Sequence, residues 1–288
     1  MPRSTPRATP PAFLAAYDAV LAQWPEDTVH TDLTTPYGRT HVHGTGPEGA
    51  PPVLLLPGGG ATSTGWYPTA AALGGTHRVH AVDLVGQPGR SVPDATRPLR
   101  TVDDLAGWLD AVLTGLGLAS AALVGHSYGA WIALRYALRA PDRVDRLVLL
   151  DPTNCFAGFG PRYLLRALPM LLRPTPARTR SFLRWETGGA PLDPAWCELA
   201  ACAAEFPTVR PVTGPRPPAA RLAALSPPTL LLTAGRSRAH DVGRVEARAR
   251  AAVPGLETAR LPDATHHTLP VGASPATNER IAAFLTTR

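Results

Sequence analysis

The stretch ALVGHSYGAW, residues 122–131, is where this sequence commits to a fold. A run of small apolar residues ends at Val124, a serine stands at position 127 with glycines at 125 and 129, and a helical pattern runs on from Tyr128. A chain that turns from strand to helix this sharply forces the apical residue into a sparsely populated φ/ψ region and leaves no room for side chains beside it. Gly125-His126-Ser127-Tyr128-Gly129 meets that demand and fits G-x-S-x-G, in which the serine sits over a helix N-terminus that favours developing negative charge. Ser127 is therefore a candidate nucleophile, and the rest of the chain can be searched for the groups such a serine needs.

Working outward, the 288 residues alternate strand-like and helix-like segments from about residue 27. TVHTDLTT (28–35) and GRTHVHGTG (38–46) read as two opening strands, with turn chemistry at PYG between them. PPVLLLP, HRVHAVDL, SAALVG, DRLVLLD, PPTLLLTAG and LETARLP supply further strands. Between them lie helical patterns, of which residues 101–117 have a threonine N-cap, acids in the first turn and a closing glycine. This is the order expected of a mostly parallel sheet with helices on both faces. From about 152 to 225 the alternation stops, and short helical segments broken by proline and glycine take its place. The expected organisation is a core over 1–151, a helical cap over 152–225 and the rest of the core over 226–288. Phe13, Tyr17, Val20, Leu21 and Trp24 recur at helical spacing, so a short amphipathic helix at about 11–24 is expected in place of a signal peptide.

With these segments in place, the chain resembles the α/β-hydrolase family from about residue 27 onward, most closely its carboxylesterase-like, cap-bearing members. LLLPGGG (54–60) resembles the family's oxyanion loop and DLVGQPGRS (83–91) the loop after its next strand. The resemblance implies an α/β-hydrolase fold, and oxyanion donation by the amides of Tyr128 and Gly59, with Gly60 the alternative. It implies a base just after the last strand, where LPDATHHTLP offers His266 first and His267 second. The position where the family usually holds its acid carries Arg238. Asp241, further along that loop, is the first candidate in its place, and Asp151, ending the preceding strand, is the alternative.

The implied activity is that of a serine hydrolase cleaving a small to medium carboxylic ester through an acyl-enzyme. The alternatives are a non-catalytic ligand-binding protein on the same scaffold, or cleavage of a lactone, thioester, peptide or C–C bond. Apolar cap residues, Phe156, Phe159 and Trp185 among them, are candidates for holding the substrate. The cap's arginines are expected on its solvent face.

The remaining features bound the partners. The net charge is +6, and every basic residue is an arginine, but these are spread along the chain rather than gathered, so no nucleic-acid partner is expected. No apolar run is long enough for a membrane span. Three cysteines without metal spacing fit free thiols and a cytoplasmic setting. No dinucleotide fingerprint is present and no cofactor is expected. His41 and His43 form H-x-H on one strand face, but no third ligand is apparent nearby, so they are expected to be surface histidines rather than a metal site.

Overall fold

The computed structural model describes residues 9–272 and 275–287. Strands β1 (Val29–Thr35), β2 (Gly38–Thr45), β3 (Pro52–Leu56), β4 (Arg78–Val82), β5 (Val92–Pro93), β6 (Ala121–His126), β7 (Val144–Leu150), β8 (Thr229–Ala234) and β9 (Glu257–Leu261) form a single sheet. Its order is β1-β2-β4-β3-β6-β7-β8-β9, with β5 added to β2. The β1–β2, β2–β4 and β2–β5 pairings are antiparallel, while the run β4-β3-β6-β7-β8-β9 is parallel. Strands β3, β6 and β8 are buried almost throughout, as a parallel sheet covered on both faces requires.

The helices are α1 (Pro11–Leu21), α2 (Tyr67–Leu73), α3 (Val102–Gly115), α4 (Tyr128–Ala137), α5 (Pro161–Leu172), α6 (Pro176–Glu186), α7 (Pro194–Cys202), α8 (Ala219–Leu222), α9 (Val242–Ala252), α10 (Thr268–Val271) and α11 (Ala276–Thr286). One face of the sheet packs on α3, α4 and α9 through residues such as Trp108, Leu109, Trp131 and Val245. The other packs on α2 and α11 through Leu73, Ile281 and Phe284. Helix α3 starts where its sequence said it would: the Thr101 side chain accepts from the Asp104 amide, and Asp104 accepts from the Thr101 amide.

Among the described residues no strand falls between β7 and β8, and α5 to α8 occupy that interval. Helix α1 joins this helical region: Phe13, Tyr17 and Val20 are buried against Leu183 of α6 and against Trp196 and Leu199 of α7. No helix among the described residues is long and apolar enough to cross a membrane.

Candidate active site

The elbow is set by close backbone packing. A Cβ at Gly125 would come within 2.5 Å of the Gly129 carbonyl oxygen, and one at Gly129 within 2.1 Å of the Leu56 carbonyl oxygen. Neither position can hold a side chain without separating α4 from β3 and β6, which explains both glycines of the motif. Ser127 between them has φ 53° and ψ −111°, the strained conformation expected at the apex.

Ser127 Oγ lies 3.0 Å from His266 Nε2, and His266 Nδ1 lies 2.6 Å from Asp151 Oδ2. Asp151 follows the last residue of β7 and is fully buried. It also has a positive φ, 40°, and with Ser127 and Asn154 makes up the non-glycine residues so strained among those described. Burial alone would raise its pKa, but hydrogen bonds from His240 and His266 overcome that and hold it well below the usual carboxylate range. Four donors converge on the carboxylate. Oδ2 accepts from His266 Nδ1 and Ser237 Oγ (2.6 Å), and Oδ1 from the Ala234 amide (3.2 Å) and His240 Nε2 (3.1 Å). His240 Nδ1 is buried without a partner, so the ring meets the protein's polar groups through Nε2 alone.

The expected acid therefore needs correction. Asp241 is not at the histidine; its side chain accepts from the Arg244 amide at 2.9 Å and caps α9. A carboxylate one residue before a helix finds three unsatisfied amides close by, and that local contact holds it away from the site. Arg238, at the family's usual acid position, donates to the Trp185 carbonyl at 2.6 Å and lies over the Trp185 ring. The loop after β8 is thus tied to α6.

His267 does not contact Ser127. Its Nδ1 lies 2.8 Å from Glu186 Oε2, and the amides of His266 and His267 donate to the same carboxylate at 3.2 and 3.4 Å. Glu186, at the end of α6, is fully buried. Burial raises its pKa, yet the His267 hydrogen bond and the nearby imidazoles lower it further, so it stays ionised. His126, next to the serine, is buried and donates from Nε2 to the His266 carbonyl at 2.9 Å. Burial depresses its pKa well below the ordinary histidine value. Glu186, Ser237 and His240 act across long chain separations with no local motif to mark them, and His126, although inside the elbow motif, has its role set by the distant His266 carbonyl.

On the other side of Ser127, Gly59 and Tyr128 are neighbours, a Cβ at Gly59 falling 3.6 Å from that of Tyr128. The Tyr128 amide opens α4 and so has no acceptor inside its helix. Among the described residues neither it nor the Gly59 amide donates a hydrogen bond to protein. The Gly60 amide is directed to Gln87 Oε1 at 3.4 Å.

A cavity of about 790 Å³ opens from Gly59, Ser127 and Tyr128 toward α5, α6 and α7, lined mainly by apolar side chains including Phe159, Tyr163, Leu164, Phe182, Leu183, Trp196 and Phe206. Of the three cap aromatics expected to hold substrate, Phe159 lines this space. Phe156, only a few residues past the end of β7, is instead buried in the core with residues of α4 and α9. Trp185 does not line the cavity; it packs among Tyr163 and Phe182 under the guanidinium groups of Arg166 and Arg238.

The H-x-H histidines also differ from expectation. His41 and His43 are buried, and the hairpin brings His30 beside them as a third ring.

A serine on a strand-to-helix elbow, followed in chain order by a buried aspartate after the next strand and a histidine after the last, defines the alpha/beta hydrolase class of parallel-sheet proteins. Residues 53–280 match the model of the alpha/beta hydrolase family, and this chain belongs to that family. It is 37% identical over 177 residues to the carboxylesterase YbfK of Bacillus subtilis, a match covering 61% of this chain and 58% of that protein. The crystal structure of that carboxylesterase, CesB (YbfK), superposes with a TM-score of 0.88 at 29% identity, covering 95% of this chain and 97% of the other. The crystal structure of naproxen esterase from Bacillus subtilis superposes at 0.89 with 28% identity, covering 99% and 100%.

Proposed function

We propose that this protein is a serine hydrolase of carboxylic esters whose acyl or alcohol part is apolar. The observation that carries the reading is the continuous path from Ser127 Oγ through the His266 ring to a carboxylate that is buried, ionised and held by three further donors. In the reaction, Oγ attacks the ester carbonyl while its proton passes to His266 Nε2. Asp151 holds Nδ1–H and stabilises the imidazolium that forms. The free amides of Gly59 and Tyr128 donate hydrogen bonds to the developing oxyanion. Collapse expels the alcohol, which takes the proton from Nε2. Water then repeats the sequence on the acyl-enzyme and releases the carboxylic acid, so ester and water become acid and alcohol.

The cavity supports the substrate class: most of its lining surface is apolar, and its volume accommodates a medium acyl chain or a bicyclic aryl acid such as naproxen. The relatives' names favour an ester over the other bond types, and nothing favours a purely ligand-binding role. The unpaired thiols Cys155, Cys197 and Cys202 support a cytoplasmic location.

The test is intact mass after treatment with a fluorophosphonate, together with p-nitrophenol release from short and medium acyl esters, on wild type and Ser127→Ala. One adduct and turnover in wild type, and neither in the variant, are expected. A folded wild-type protein that takes no label would overturn the proposal.

A further inference from the structure

The β1–β2 hairpin carries a second constellation that the ester chemistry does not use. Its register sets His30 opposite His43 and Asp32 opposite His41, so alternation puts all four side chains on one face of the antiparallel pair. One nitrogen from each of the three histidines can be chosen so that all lie within 4.8 Å of one another.

Hydrogen bonds decide which nitrogens are free. His41 Nδ1 lies 2.6 Å from Asp32 Oδ1, so Nδ1 carries the proton and Nε2 bears the lone pair. That Nε2 is buried with no partner, on a residue only 7% exposed. His43 Nε2 lies 2.6 Å from the Tyr17 hydroxyl, whose own proton goes to Asp83 Oδ2 at 2.8 Å. His43 Nε2 must therefore be the donor, and its Nδ1 is the bare nitrogen. His30 Nδ1 lies 2.8 Å from it. His30 itself is exposed, which leaves a way in from solvent.

The geometry points to a binding site for one divalent borderline transition-metal ion, of the Zn²⁺ type, held by His30, His41 and His43 with solvent completing the shell. Three imidazoles without thiolate or a carboxylate ligand suit zinc, nickel or copper and do not suit calcium or magnesium. Two of the three rings already have the outer partner that metal-bound histidines usually have: Asp32 behind His41, and the Tyr17–Asp83 relay behind His43.

A tetrahedral ion with metal–nitrogen bonds of about 2.0–2.1 Å sets its ligand atoms about 3.4 Å apart, so the His30–His43 pair opens slightly and the third ring closes in. On binding, the proton between His30 and His43 moves to the exposed Nε2 of His30. Asp32 and Asp83 offset the ion's charge, against Arg90, stacked on Tyr17, and Arg39, paired with Asp32. A simple hydrogen bond between His30 and His43 would leave His41 Nε2 buried and unsatisfied, which the metal resolves.

The test uses the full chain purified through a tag without histidines. Zn²⁺ is titrated calorimetrically, Co²⁺ is followed by its visible absorption, and melting is measured with and without Zn²⁺. One equivalent per chain, an intense four-coordinate Co²⁺ band and a raised Tm are expected. His30→Ala, at an exposed position that leaves the fold intact, should weaken binding at least about a hundredfold, and Asp32→Asn about ten- to a hundredfold. Binding below one equivalent, or a His30→Ala protein that binds as wild type does, would overturn the site.

Discussion

Replacing Asp151 by asparagine separates the two candidate acids and follows atom by atom from the site. The carboxylate accepts two donors on each oxygen, so an amide must turn its NH₂ toward one pair. Facing the Ala234 amide and His240, it would oppose a backbone N–H that cannot reverse. Facing Ser237 Oγ and His266 Nδ1, it meets a hydroxyl that can rotate and a ring that can change tautomer, so this orientation wins. His266 then accepts at Nδ1 and carries its proton on Nε2, 3.0 Å from Ser127 Oγ, where it can no longer take the serine proton. Loss of the correct tautomer typically costs about 10³- to 10⁴-fold in kcat, equivalent to about 4–5.5 kcal/mol of barrier.

Asp241→Asn keeps a good helix N-cap and should change stability by less than about 0.5 kcal/mol and kcat by less than about twofold. The assay is p-nitrophenyl ester turnover, with circular dichroism confirming that both variants are folded. An Asp151→Asn enzyme within tenfold of wild type, or an Asp241→Asn enzyme reduced a hundredfold, would refute the reasoning.

Three further outcomes follow from the same structure. Gly129→Ala places a methyl against the Leu56 and Pro57 carbonyls, and a loss of about 2–4 kcal/mol, read by denaturant unfolding, is expected; unchanged stability would mean the elbow is looser than described. His80 is buried on β4, and burial, then Arg78, lowers its pKa to about 4. Between pH 6.5 and 4 the unfolded chain therefore binds a proton there that the folded chain does not, so stability falls with pH by up to about 1.4 kcal/mol per unit. From pH 7 to 5 the loss from this residue is about 2 kcal/mol, and His80→Leu should reduce the measured difference by that amount; an equal difference in both proteins would contradict it. Ala200→Phe narrows the cavity at the α7 wall, and kcat/KM should fall about tenfold for a medium acyl ester while acetate hydrolysis changes little; equal effects on both esters would separate this space from acyl binding.

The elbow, the sheet and the helix starts were legible because each rests on neighbours in sequence: small residues at the turn, apolar runs in the strands, a threonine before α3. The acid was not, because Asp151 and Asp241 both sit just after a strand-like or loop segment, and only the three-dimensional path of the β8–α9 loop tells a helix cap from a partner of the base. Phe156 and Trp185 depart from expectation for a related reason: aromatic content marks a region as apolar, while packing decides which ring meets a cavity. The third histidine of the hairpin was within reach. A turn that sets Thr35 opposite Gly38 carries the pairing back to His30 and His43.

Glu186 gives the helical region a mechanical relation to the chemistry. It is the last residue of α6, yet its carboxylate grips the amides of both His266 and His267 and the His267 ring. Any movement that swings α6 outward to admit a bulky ester must either break these three bonds or drag the histidine loop along. In the first case a charged carboxylate is left stranded, and in the second the imidazole leaves the serine. The position of the His266 ring beside Ser127 is thereby tied to the placement of α6 through a single side chain.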